Sequence, residues 1–428
     1  MKQKLFIVIL FLFPLLTFGQ PANSTSLKFK KDFDFFWQSI DENYCYFDKK
    51  QTDWNRVKEI YAPIFDTIST RGQFVKELEN VFCEIYDHHA SLNTNTNYSQ
   101  RLVPSGADIW AEFINGKPVI TEVRKKFGAE MAGVLPGMEV IAVNDIPVLK
   151  AIKPFIGKAL RSTDTEANNY ALRLLLAGNH TNSRKLRLQS NQVTKDYFPD
   201  SPHSLLEHIS YPTMIESNIK NSIGYIKINN CLFDNELIAV FDSVMQLMKN
   251  TRSLILDLRE TASGGNTSVA RAILGWFTNK EQIYQKHELY AEQKETGIKR
   301  SWFEIVSPRE KKYYDKPLVV LVDHWTGSIA EGITIAFDGM KRAEIIGTKM
   351  AGLNGAGQTF EMPDSKIRFT FPVERLYHIN GLPRENFSPA MLIDLLKEKN
   401  NPADDIFIDK AYQYLNSHGS KLIEKKFT

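Results

Sequence analysis

The stretch that most constrains the fold is the uninterrupted apolar run Leu318-Val-Val-Leu-Val322. Its length and its β-branched residues suit a fully buried strand, which needs partners on both faces. A short turn follows, Asp323 to Gly327. Beyond it Ile329, Ile333, Ala336 and Phe337 recur at helical spacing. The pattern repeats along this half of the chain. Ile223–Ile228 reads as a strand, Asp234–Lys249 as a helix, and Leu254–Leu258 as a second buried strand. A helix with Val269, Ile273 and Trp276 on one side follows, and a short strand is expected at Glu344–Gly347. Alternating strands and helices predict an α/β core.

Ser328 lies at the join between the Leu318–Val322 strand and its helix. A serine there is a good N-cap. It is also where a hydroxyl projects into a cleft beside the free N–H groups of a helix start, which stabilise negative charge. The two roles are compatible. The neighbouring strand runs into Arg259-Glu-Thr-Ala-Ser-Gly-Gly265, a turn whose glycines let backbone approach a ligand closely. Two further stretches carry reactive groups: Asp87-His88-His89, and the loop Gly381–Pro389 with Glu385. A histidine takes a serine's proton only if it reaches the hydroxyl.

The rest of the chain frames these residues. Residues 27–100 carry apolar stripes at helical spacing, such as Phe33, Phe36, Trp37, Ile40 and Tyr44, and Thr70 with Gln73 forms a capping box for a third helix. Residues 104–190 read as a compact β-rich module with one helix, opened by a capping pair at Thr163 and Glu166. Residues 191–221 read as linker, 222–395 as the α/β core, and 396–428 as a C-terminal helical segment. Residues 1–19 have the basic start, apolar run and small-residue end of a signal peptide, so the mature chain is expected in the periplasm or outside the cell.

Several function classes find no support. A net charge of +3 over 428 residues gives no basic patch for nucleic acid. No later stretch is long and apolar enough to span a bilayer. The cysteines, Cys45, Cys83 and Cys231, show no metal-site spacing. Cys45 and Cys83 could pair, but buried free thiols are the expectation. His88 and His89 lack the separation of a helical zinc pair. Neither a metal nor a cofactor is expected.

Taken in order, these motifs resemble the C-terminal-processing (tail-specific) serine peptidases, and more closely their tricorn-core and interphotoreceptor-retinoid-binding branch. Asp87-His88-His89 matches an Asp-x-His motif. Gly133-Val-Leu-Pro-Gly-Met-Glu-Val-Ile-Ala-Val-Asn144 is similar to a PDZ module. Asp257-Leu-Arg with Gly264-Gly265, and Gly327-Ser-Ile-Ala-Glu331, are similar to the Gly-Gly and Ser-x-x-Glu motifs of the core. The resemblance implies a ClpP/crotonase-like βαβ core and an exported serine endopeptidase. In it Ser328 is the nucleophile, His89 the base and Glu385 its support. The N–H groups of Ile329 and of Gly264 or Gly265 form the oxyanion hole. It implies a peptide or protein substrate held by its C-terminus in the PDZ-like module. The chain departs from the pattern in four places, one of them the Gly-rich turn, which reads Arg259-Glu-Thr-Ala-Ser-Gly-Gly265 where the family has Arg-x-Asn-x-Gly-Gly. Leu353 stands where the tail-specific branch has its lysine base, His88 where the tricorn-like branch has a serine, and Ala390 where the late loop has aspartate. These departures frame the alternative, a catalytically inactive peptide-binding protein that keeps the fold.

Overall fold

The computed structural model describes residues 24–200, 211–398 and 404–424. The expected signal peptide lies outside the described residues. Among them, no helix is long and apolar enough to cross a membrane.

The core is a six-stranded sheet. Leu318–Val322 is central to it and buried at every residue. It pairs in parallel with Ser253–Asp257 on one side, Leu254 opposite Leu318, and with Glu344–Gly347 on the other, Val319 opposite Glu344. Ile223–Ile228 extends the parallel set beyond Ser253–Asp257, and Ile215–Lys220 closes that edge antiparallel. Both faces are covered, as a parallel sheet requires. Leu256, Val320 and Val322 pack with Phe241, Ile273 and Phe337 on one face. Ile255, Val319 and Leu321 pack on the other with Phe407, Ala411 and Leu415 of the helix Ile406–Glu424.

The N-terminal region contains helices Ser24–Asn43, Trp54–Phe65 and Arg71–Ile85. Thr70 and Gln73 form the capping box of the third. Their aromatic faces pack on one another, Phe33 stacking on Phe65 at 4.1 Å and Phe29 on Phe74 at 4.4 Å, and also reach beyond the helices. Phe36 packs edge-on against Phe369 at 4.8 Å, on a second sheet formed by strands from 282–377. The short strand Ser91–Leu92 joins that sheet opposite Phe369 and Thr370. The residues after the third helix are thereby drawn onto the core.

The β-rich module forms a third sheet, with Thr165–Ala177 as its longest helix. Two expectations are corrected here. The cap of that helix is Asp164, whose carboxylate accepts from Glu166 N–H at 2.8 Å, and not Thr163. A carboxylate also complements the positive helix start, which a threonine does not. The stretch expected as linker contains strands Val193–Tyr197 and Ile215–Lys220. Both are edge strands with mostly exposed side chains, so they carry no apolar signature. The three cysteines are buried free thiols.

Candidate active site

Ser328 is presented by a strained turn. It has φ +54° and ψ −110°, a region where non-glycine residues are disfavoured. Such strain persists only where its surroundings enforce it. The enforcement comes from the turn Asp323–Gly327, where Asp323 Oδ1 accepts from Trp325 N–H at 2.8 Å. The turn is laced to the one beside it, since Thr261 N–H donates to the Trp325 carbonyl at 3.2 Å. Glu331, one helical turn on, completes the hold by accepting from Ser328 N–H at 2.8 Å.

The Gly-Gly turn lies against this serine. A Cβ added to Gly264 would fall 2.6 Å from Ser328 Cβ and 3.2 Å from its Oγ, so only glycine fits there. Gly264 N–H donates to the Thr261 carbonyl at 3.1 Å, whereas Gly265 N–H has no acceptor among the described residues. Gly265 is itself pressed against Leu232, whose carbonyl would lie 2.2 Å from an added Cβ. Ile329 opens the helix, where N–H groups lack intrahelical acceptors.

His89 follows the third N-terminal helix, which ends at Tyr86 in a left-handed conformation. Its Nδ1 lies 2.6 Å from the Asn354 carbonyl oxygen, and its backbone N–H donates to Asp87 Oδ1 at 2.9 Å. Burial and the nearby Arg384 cation hold its titration below the ordinary histidine value, so it is neutral near neutral pH. His88 faces elsewhere. It stacks on Tyr170 with centroids 4.5 Å apart, and its Nε2 makes no hydrogen bond.

The loop Gly352–Gly355 joins the two halves of the site. Glu331 Oε1 accepts from Gly352 N–H at 3.0 Å while its other oxygen holds Ser328. Arg384 Nη2 donates to the carbonyls of Leu353 at 3.0 Å and Gly355 at 2.7 Å, and lies 3.7 Å from Glu331. Burial raises the Glu331 carboxyl to about 7, opposed by Arg384 and the two N–H donors. Glu385, next to Arg384, borders the same loop. Its carbonyl would lie 3.5 Å from a Cβ on Gly352. Burial raises its titration, and its Oε2 makes no hydrogen bond. Ser328, Gly264 and Ile329 are thus in direct contact or adjacent. His89 and Glu385 reach the serine's surroundings through the 352–355 loop. Among the described residues no hydrogen bond joins His89 to Ser328 or to Glu385.

Leu353 is buried, with its Cδ1 3.4 Å from where a Cβ on Gly327 would be. An apolar side chain therefore packs beside the nucleophile turn. Lys349 is exposed. Arg384, Asn354 and the anchoring role of Glu331 were not foreseen from the sequence. The one available signal was the glutamate of Ser-x-x-Glu at capping-box spacing. Among the described residues, no cluster of histidine, cysteine or acidic side chains could hold a metal ion.

Residues 222–386 match the model of peptidase family S41, and residues 26–83 match the tricorn protease C1 domain. The chain is 25% identical over 354 residues to the carboxy-terminal processing protease CtpB of Bacillus subtilis (strain 168), covering 81% of this chain and 67% of that protein. Its fold is similar to the crystal structure of mature CPAF, with TM-score 0.62 at 15% identity over 93% of this chain and 99% of that one. It is also similar to the photosystem II D1 C-terminal processing protease, with TM-score 0.53 at 17% identity over 87% and 94%.

Proposed function

The chain belongs to the peptidases of family S41, and from that premise we propose that it is an exported serine-type endopeptidase working through an acyl-enzyme on Ser328. Ser328 Oγ attacks the scissile carbonyl carbon as its proton passes to His89 Nε2. The tetrahedral oxyanion accepts from Ile329 N–H and from the Gly-Gly turn. Gly265 is favoured over Gly264 as that second donor, because Gly264 N–H already serves the Thr261 carbonyl. The C–N bond then breaks, and His89 returns the proton to the leaving amine. Water hydrolyses the acyl ester by the same route. Glu385 supports the imidazolium through space or through a bridging group. Oxyanion donors are worth about 10²–10³ in rate each.

The observation that carries this reading is the strained φ of Ser328 with Gly264 backbone against it. A simple helix cap needs neither feature. Leu353 beside the turn favours a histidine over a lysine base. The β-rich module is proposed to act as a PDZ-like domain, taking the C-terminal end of a peptide by strand addition. Export, to the periplasm or beyond the cell, is proposed from residues 1–19.

The test is turnover of an unfolded protein substrate such as reduced casein, followed by mass spectrometry of new termini. Wild type is expected to generate new termini, and Ser328→Ala none above background. Equal termini from both proteins would reject the assignment.

A further inference from the structure

The imidazole of His89 has a partner that only accepts. The Asn354 carbonyl oxygen, 2.6 Å from Nδ1, has no proton to give, so in the neutral ring Nδ1 carries the hydrogen and Nε2 the lone pair, with the Gly355 backbone a second hydrogen-bonding group beside the imidazole. That is the tautomer a base needs if it is to take a proton at Nε2. A backbone carbonyl can hold a ring so only if its own loop is fixed.

Asn354 is fixed from several sides. Its side-chain Nδ2 donates to Asp87 Oδ2 at 2.9 Å. The same carboxylate accepts from His89 N–H through Oδ1 at 2.9 Å and from the Tyr44 hydroxyl through Oδ2 at 2.7 Å. Asp87 is 3% exposed, so these donors are what satisfy it. His89, Asn354 and Asp87 thereby close a ring of three hydrogen bonds. The carbonyls flanking Asn354 bond to Arg384 instead. A Cβ on Gly355 would lie 2.0 Å from the Glu374 carbonyl, so the loop is pressed between its neighbours.

We propose that Asn354 and Asp87 are the positioning residues of His89: the Asn354 carbonyl sets its tautomer, and Asp87 anchors that asparagine while supplying the counter-charge for the imidazolium. This rests on His89 being the base of the proposed peptidase. It differs from a carboxylate placed directly on the ring, because the charge acts from one residue further away. The charged and titratable groups around the ring are Arg384, which opposes the imidazolium, and Asp87, which favours it. Glu385, Lys50 and Tyr44 lie beyond, each interacting with Asp87. Removing the Asp87 charge leaves Arg384 less opposed, so the histidine should titrate at still lower pH.

Two measurements test this, one of them independent of activity. In peptide turnover, Asp87→Asn is expected to lower kcat about 10²-fold, within the range of a general-base contribution. KM should stay within about threefold, and the acid limb of kcat/KM should move to lower pH. Asn354→Ala, which keeps the carbonyl but frees it, should lower kcat by a smaller factor. An acid limb that stays in place in Asp87→Asn, or moves only in Glu385→Gln, would overturn the proposal. In ¹⁵N-histidine spectra of Ser328→Ala, the resonance lost in Ser328→Ala/His89→Gln should be an Nδ1-protonated imidazole whose titration falls further when Asp87→Asn is added. An Nε2-protonated ring, or a titration that Asp87→Asn leaves unchanged, would defeat the inference whatever the enzyme does. The expected spectra from a protein without turnover would leave the ring geometry standing and remove the peptidase mechanism alone.

Discussion

Gly264→Ala isolates the contact between the Gly-Gly turn and the nucleophile. The new Cβ would sit 2.6 Å from Ser328 Cβ, against about 3.4 Å for an ordinary contact, so the two backbones must part by about 0.8 Å. A displacement near 1 Å at a reacting group costs about 10²-fold in rate. Gly264 also has φ +67°, where an alanine costs about 1–2 kcal/mol of stability. The two effects are separable with a control. Gly297 has φ +75° but nothing within 4 Å of its added Cβ. Gly297→Ala should lose the same stability and no activity. The assay is turnover of a fluorogenic peptide, with each variant's urea midpoint measured in parallel. The expected result is a fall of about 10²-fold in kcat for Gly264→Ala alone. A folded Gly264→Ala protein within threefold of wild type would refute the placement of this turn against the reacting hydroxyl.

Other consequences follow from buried groups. The Glu331 carboxyl, raised by burial to about 7 from an ordinary 4.5, is favoured neutral in the fold. Its contribution, on the order of 3 kcal/mol, is fully present below 4.5 and lost as pH rises through 7. In a Ser328→Ala background, the stability gap between Glu331 and Glu331→Gln proteins in urea should shift by that amount between pH 4.5 and 7.5. A constant gap would contradict it. The Cys83 and Cys231 thiols are pushed by burial to about 12 and about 11, and Cys45 is also raised. Iodoacetamide at pH 8 should therefore leave all three unmodified until the protein unfolds, as read by intact mass. Arg124 of the β-rich module is paired with Glu260 of the core at 2.9 Å, and both are buried. Arg124→Ala strands that carboxylate and should destabilise by about 3–5 kcal/mol, seen as a lower urea midpoint. Arg124→Ala/Glu260→Gln should recover part of the loss.

The parts of the fold legible in the sequence were those whose burial is written into consecutive residues. Leu318–Val322 is apolar throughout because both faces of its strand are covered. Thr70 and Gln73 announce a helix start through a purely local pair of hydrogen bonds. The strands without such a signature have mixed faces and distant partners. Gln282–Leu289 alternates imperfectly because its register shifts between Ile283 and Gln285. Ser91 pairs with Thr370, far along the chain. At the site, side chains with unusual chemistry stood out, and residues that act through the backbone did not. Every residue has a carbonyl, so nothing in the sequence marks Asn354 as the partner of His89. Arg384 likewise serves two carbonyls and a carboxylate that only the folded loop brings to it.

Activation of Ser328 as a nucleophile by His89 is read out by treating the protein with a fluorophosphonate and locating the adduct by tandem mass spectrometry. One adduct is expected, on Ser328, absent from Ser328→Ala and formed at least about 10²-fold more slowly in His89→Ala. A protein that stays unlabelled, or that labels as fast without His89, would contradict that activation.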